Sequence, residues 1–257
     1  MAGILFDQIV FGPVRSRRLG VSLGMNLLPT NGKLCSFNCI YCECGWTDYA
    51  HPVSDKLHSR KDIRESLEQR LIALAGENML PDAITFAGNG EPTLHPDFTG
   101  IVDDTVALRD KYSPLAQVAV LSNSSTLDRP GIIAALMKTN NMMKLDAGSD
   151  GMFRTINNPK SNINLATIVE NLKKFNGQLT IQSMFFKGEY NGKPIDNTTD
   201  EELIPWLGYL KEINPRSVMI YSLDRRPPAQ KLEKLSAEEL EAIAVRIRAI
   251  GLNAKIY

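Results

Sequence analysis

All four cysteines of the 257-residue chain fall within ten positions: Cys35, Cys39, Cys42 and Cys44, in the stretch CSFNCIYCEC. The first three follow a C-x3-C-x2-C spacing. Three thiolates this close can bind three irons of a cubic 4Fe–4S cluster and leave the fourth iron free for an exogenous ligand. Thiolates are the usual ligands of such clusters, and an open coordination position is where metal chemistry happens. A disulfide framework does not suit a chain of this length with no cysteine elsewhere. A structural zinc site is the rival, but it usually takes two ligand pairs separated by a longer segment. The fourth cysteine here lies two residues beyond Cys42, and the only histidines are His51, His58 and His95. Cys44 therefore reads as a small hydrophobe beside the cluster rather than a fourth ligand.

The rest of the composition bounds the setting. A hydrophobic fraction of 43% supports a substantial core. Lys+Arg and Asp+Glu both number 29, so no global basic field calls for nucleic acid. The N-terminus lacks the charged and apolar regions of a signal peptide, and no apolar run is long enough to span a bilayer. Clustered free thiols fit a reducing, cytoplasmic compartment.

Along the chain, short apolar runs rich in β-branched residues predict strands at 20–28, 82–88, 116–122, 141–147, 179–186 and 217–222. Helical spacing lies between them. Residues 60–76 place Ile63, Leu67, Leu71 and Leu74 on one face, and 164–175 do the same with Leu165, Ile168, Leu172 and Phe175. Residues 236–250 open with Ser236 and Glu239, a capping-box pattern, and would turn Leu240, Ile243, Val245 and Ile247 inward. Weaker helical patterns cover 97–111, 129–138 and 200–212. This alternation predicts an α/β fold, a partial (β/α)6 TIM-type barrel of parallel strands with right-handed crossovers. A single domain is expected over 1–257, with a lead-in at 1–18, a core at 19–222 and a helical cover at 223–257.

In such folds chemistry gathers at the C-terminal strand ends. The cysteine loop follows the first strand, and Gly88-Asn89-Gly90-Glu91-Pro92 ends the second. Ser122 and Asn123 end the third, Lys144 and Asp146 the fourth, Gln182 and Ser183 the fifth, and Tyr221 the sixth. A turn explains the glycine–proline segment, and Ser122 and Asn123 could simply cap a helix. The convergence of all of them on one end argues for a site.

CSFNCIYC, with Tyr41 before the third cysteine, together with GNGEP, resembles the radical SAM superfamily. VRSRRLGVSLGMNLLP, GNGEPTLHP, KLDAGSDGMFRTIN and YSLDRRPP resemble a group within it related to the tRNA wyosine synthases. Those synthases carry further cysteines for a second cluster, and this chain has none outside 35–44. The resemblance implies a 4Fe–4S cluster held by Cys35, Cys39 and Cys42. S-adenosylmethionine chelates the open iron, and one electron cleaves it to methionine and a 5′-deoxyadenosyl radical that takes hydrogen from a substrate. It places Tyr41 near the adenine and Gly88, Asn89, Gly90, Glu91 and Pro92 along the methionine moiety. Ser122, Asn123, Gln182, Ser183 and Tyr221 are further cofactor-contact candidates. Lys144 would neutralise a carboxylate, and Asp146 would touch ribose or substrate. An electron donor such as flavodoxin or ferredoxin is implied. Arg15, Arg17 and Arg18 could contact a phosphate-bearing substrate, a nucleotide or an RNA, since guanidinium pairs with phosphate bidentately. The other readings are an activase of a glycyl-radical enzyme and a non-enzymatic metal-binding structural or sensor protein.

Overall fold

The computed structural model describes residues 3–48, 57–160 and 162–257, so His51 lies outside the described residues. The strands are β1 Val10–Ser16, β2 Gly20–Met25, β3 Ala83–Phe86, β4 Gln117–Ser122, β5 Asn140–Lys144, β6 Thr180–Met184, β7 Phe186–Tyr190, β8 Lys193–Asp196, β9 Ser217–Tyr221, β10 Leu232–Lys234 and β11 Ala254–Ile256. The helices are α1 Arg60–Gly76, α2 Phe98–Tyr112, α3 Ile132–Met137, α4 Asp150–Asn157, α5 Leu165–Lys173, α6 Asp200–Ile213 and α7 Ala237–Ala249.

Each apolar run expected to be a strand contains one. β2, β3, β4, β5, β6 and β9 pair in that order, every pairing parallel. The eight-stranded sheet runs β1-β2-β3-β4-β5-β6-β9-β11 and stays open, with β1 and β11 at its edges. Side chains alternate across it as the strand period requires. Val118 and Val120 join the large core beneath the helices, while Ala119, with Met142 and Met219, forms a small apolar cluster on the concave side that also gathers Leu19, Leu121 and Tyr257.

α1 matches its predicted span, with Ser59 Oγ accepting from Asp62 N at 3.1 Å as the cap and Ile63, Leu67, Leu71 and Leu74 buried. The capping box of Ser236 and Glu239 opens α7. Val245, expected inward, is 54% exposed, because the buried row is Leu240, Ile243, Ala244 and Ile247. That row follows the i, i+3, i+4, i+7 spacing, and Val245 falls one step off it.

Three features depart from the sequence reading. The lead-in 1–18 contains β1, antiparallel to β2. The region 223–257 is not purely helical: β10 precedes α7, and after it β11 adds a further parallel strand beside β9. A three-residue strand is too short for its period to show. Residues 179–186 are not one strand. β6 stops at Met184, and β7 leaves the main sheet to join β10-β7-β8, a three-stranded antiparallel sheet. Gly188, at φ +132°, lets β7 lie against the backbone of Lys231, whose carbonyl oxygen would stand 2.1 Å from any added Cβ.

Candidate active site

The cysteine loop has no helix or strand of its own, so its backbone must be held from outside. α4 does part of this. The last carbonyls of a helix lack intrahelical partners. Here Asn157 O and Asn158 O accept from Asn38 N, each at 3.1 Å, and Ile156 O accepts from Ile40 N at 3.0 Å. The strand-end loop after β3 grips the other side. Leu34 N donates to Asn89 O at 2.8 Å, and Glu91 N donates to Leu34 O at 3.1 Å. Gly90 sits under this contact at φ +140°, and a Cβ there would lie 1.8 Å from Leu34 O. The glycine is required by the close approach of the loop. Within the loop, Cys42 N turns back to Cys39 O at 3.1 Å.

Cys35, Cys39, Cys42 and Cys44 all open on one cavity of about 310 Å³ above the strand ends, walled also by Gly88, Gly90, Glu91, Ser122, Asn123, Lys144, Gln182 and Tyr221. Most residues singled out from the sequence are thus brought together. Asn89, Pro92, Ser183 and Asp146 are not on the wall. The Asn89 side chain points away, pairing with Phe6 N and Phe6 O at 2.8 Å and with Pro29 O at 2.9 Å. Ser183 Oγ donates to Leu145 O, and Pro92 starts a short 3-10 turn. His95 is structural: Nδ1 accepts from Asp97 N at 3.1 Å, so Nε2 carries the proton toward His58 O at 2.8 Å.

Glu91 ties β3 to β4 rather than reaching outward. Its carboxylate accepts from Thr93 N at 3.2 Å, Thr93 Oγ1 at 2.5 Å, Ser122 Oγ at 2.9 Å and Asn123 N at 2.6 Å. Burial raises its pKa while these donors pull the other way. Every partner is a donor, so Glu91→Gln must turn its amide NH2 against one of them. The variant is expected to lose about 1–3 kcal/mol of stability, the cost of an unsatisfied buried polar group, measured by urea unfolding.

Two residues that sequence reasoning missed complete the donor set. Asn157 Nδ2 lies 3.6 Å from Cys39 Sγ and 2.8 Å from Asp146 Oδ2, and Asn123 Nδ2 lies 3.5 Å from Cys35 Sγ. Lys33 is 5% exposed, and its Nζ donates to Gly45 O at 2.9 Å. Burial opposes its charge, yet the facing thiols of Cys42, Cys35 and Cys39 raise its pKa overall. No carboxylate pairs with it among the described residues, and a buried ammonium needs an anion. The only sequence signals were a lysine two positions before the first cysteine, which forms no motif, and an asparagine that closes the segment KLDAGSDGMFRTIN without standing out within it.

The thiols differ. Burial pushes Cys35 up to about 12 and raises Cys39 as well. A hydrogen bond with Cys44 lowers Cys42 to about 5, against burial and with help from Lys33. The same hydrogen bond, with burial, raises Cys44, whose Sγ donates to Gly88 O at 3.4 Å. Among the described residues, no three His, Cys, Asp or Glu side chains converge tightly enough for a single metal ion. The cysteines instead ring a cavity, which suits a cubic cluster whose ligated corners stand apart and does not suit mononuclear zinc. Three thiols, a buried cation without a carboxylate and side-chain amides aimed at sulfur fit an anionic cluster.

A row of alternating rings and cations crosses the cavity. Lys144 Nζ stands 5.0 Å from the centre of the Tyr41 ring, 3.6 Å from Asp146 Oδ2 and 3.5 Å from Tyr221 Oη. Arg18 lies 5.0 Å from the centre of the Tyr221 ring and donates to Gln182 Oε1 at 3.1 Å. Tyr41 Oη donates to Asp146, whose carboxylate is fully enclosed and also takes Met184 N at 2.9 Å. Of the three arginines considered for phosphate contact, only Arg18 enters the cavity. Arg15 lies on β1 opposite Val21, and Arg17 pairs with Asp224 at 3.2 Å.

Fold and donor set define the class: a partial parallel barrel with a thiol-lined cavity over its strand ends. The chain belongs to the radical SAM superfamily, whose sequence pattern matches residues 32–201. Members of that superfamily are enzymes that use a 4Fe–4S cluster and S-adenosylmethionine, and they need an electron donor. The chain is 32% identical over 256 residues to a UPF0026 protein of Methanocaldococcus jannaschii, covering 95% of this chain and 73% of that one. It is 32% identical over 237 residues to a UPF0026 protein of Helicobacter pylori, covering 90% and 71%. A radical SAM methyltransferase from Sphaerobacter thermophilus shares the fold at TM-score 0.66 and 14% identity, over 92% of this chain and 66% of that one. Archaeal TYW1 shares it at TM-score 0.53 and 12% identity, over 89% and 71%. Among the described residues no helix is long and apolar enough to cross a membrane.

Proposed function

We propose that Cys35, Cys39 and Cys42 hold a 4Fe–4S cluster and that the chain binds S-adenosylmethionine against it to take a hydrogen atom from an organic substrate in the same cavity. The observation that carries this reading is the opening of the Cys35, Cys39 and Cys42 thiols, with Cys44 beside them, onto a cavity at the C-terminal strand ends. When bound, the two cofactors supply a 5′-deoxyadenosyl radical.

The chain's own residues bind, orient and shield. Asn123 and Asn157 direct amide N–H groups at Cys35 and Cys39, and Lys33 offsets the charge of the thiolates. Gly88 and Gly90 form the wall beside the cysteines, where a methionine moiety would lie. Lys144 offers an ammonium to its carboxylate. Asp146 acts through Lys144, Tyr41 and Asn157 rather than by touching a ligand, since it is fully enclosed. A low-potential donor protein such as flavodoxin or ferredoxin would deliver the electron.

The test is anaerobic. Protein reconstituted with iron and sulfide is given dithionite and S-adenosylmethionine, and 5′-deoxyadenosine is quantified by chromatography. Formation dependent on the reconstituted cluster is the expected result. No formation by protein shown to hold both the cluster and S-adenosylmethionine overturns the reading.

A further inference from the structure

We infer that Arg18 is the anchor for an anionic substrate, one carrying a carboxylate or a phosphate monoester. This rests on the cavity being a radical SAM site, as proposed above. The sheet is open between its two edges, and the turn between β1 and β2 reaches across toward β9. Arg17 meets Asp224, just past β9, at 3.2 Å, and the Arg18 guanidinium lies over Tyr221 at the end of β9. The turn is fixed from below, because Ser16 Oγ accepts from Arg18 N at 3.3 Å and from Leu19 N at 3.2 Å. Leu19 then joins the concave-side apolar cluster of Ala119, Met142 and Met219. The guanidinium therefore stands over an apolar floor with its backbone locked.

Its charge is unanswered. Lys144 has Asp146, Lys33 faces the thiols, and Arg225, near the mouth, has Glu43 at 2.8 Å. Arg18 has the neutral Gln182 Oε1 and a tyrosine face, and no carboxylate among the described residues. A guanidinium presents five N–H donors in a planar fork shaped for carboxylate or phosphate. One is used here. The remaining donors border the cavity at the far end of the row Tyr41–Lys144–Tyr221–Arg18, two side chains removed from Tyr41 of the cysteine loop. A cofactor lying on that loop meets Lys144 first and leaves Arg18 for the second ligand. Charge-assisted bidentate contact with such a ligand is the strong form of the interaction.

The experiment uses the reconstituted full chain with saturating S-adenosylmethionine. Anaerobic calorimetry titrates inorganic phosphate in one arm and succinate in the other, for wild type, Arg18→Gln and Arg18→Lys. Wild type is expected to bind at least one of these anions, with the stronger arm identifying the anionic group. Arg18→Gln should weaken that binding at least tenfold and Arg18→Lys by less. The affinity for S-adenosylmethionine, titrated separately, should stay within twofold, which also shows that both variants fold. Anion binding absent from wild type, or unchanged in Arg18→Gln, overturns the inference. So does a matching loss of S-adenosylmethionine affinity, which would assign the guanidinium to the cofactor's carboxylate. None of these readouts requires turnover, so a failure here is distinguishable from a failure to form 5′-deoxyadenosine.

Discussion

Cys39→Ala is expected to leave the chain folded and without a cluster. Cys39 is 7% exposed and packs within the main core, where cysteine behaves as a small hydrophobe and alanine costs little. The loop's shape does not depend on its sulfur: the Cys42 N to Cys39 O turn and the bonds from Asn38 and Ile40 to the end of α4 are all backbone. What disappears is one corner of a three-point attachment. After reconstitution and desalting, iron should fall from about four per chain to near background. 5′-Deoxyadenosine formation should fall by more than about 100-fold, beyond the 10–100-fold typical of changes behind the ligands. Cys44→Ala is the contrasting variant. It removes the thiol's contacts with Cys42 and Gly88 O and no expected ligand, so iron should be retained. Equal iron loss in both variants would reassign the ligand set, and full iron in Cys39→Ala would remove Cys39 from it.

The sheet was legible in the sequence because its central strands are enclosed on both faces. Runs such as QVAVLS and SVMIY must then be apolar almost throughout, and a short β-branched block between two helical stretches has the length and composition of a buried strand. The convergence of residues on one cavity was legible where a polar or thiol side chain stands at or just past a strand end: the cysteines, Glu91, Lys144. It was not legible where a residue acts through tertiary placement. Nothing in the local sequence says that a helix forms at α4 or that its end closes on the cysteine loop, so Asn157 stood only as the last residue of KLDAGSDGMFRTIN. Lys33 carries no pattern, and only the fold places it, buried, among the thiols. Asn89 stands in a loop that faces the cavity, yet its amide holds Phe6 and Pro29 on the opposite side. The alternation of a loop's backbone, unlike that of a strand, cannot be read from residue types.

Asp146→Ala should be the most destabilising single change behind the cavity wall. Asp146 accepts from Tyr41 Oη, from Asn157 Nδ2 at 2.8 Å and from Met184 N at 2.9 Å, and it faces Lys144 Nζ at 3.6 Å. Alanine strands these donors and leaves the Lys144 ammonium, 16% exposed, without its counter-charge. Breaking a buried pair by removing one partner costs about 3–5 kcal/mol. The sign of the pH dependence separates the two contributions. In the native chain, burial opposes the Lys144 charge, but Asp146 first, then Tyr221 and Cys39, outweigh it and raise its pKa above the ordinary 10.5. The pair is then fully present below the ordinary lysine value and is lost only as pH rises through the folded one. Without Asp146, burial dominates, and the folded pKa of Lys144 drops below the unfolded one. The unfolded chain then binds more protons, so the variant gains stability with rising pH while the wild type does not. Urea unfolding at about pH 7 and about pH 9.5 should show the deficit shrinking with pH. The double variant Asp146→Ala, Lys144→Met should lose that pH dependence and recover part of the stability, because the buried charge is gone. A deficit that stays flat across pH would mean that the stranded donors account for all of it and that Lys144 finds water once Asp146 is removed.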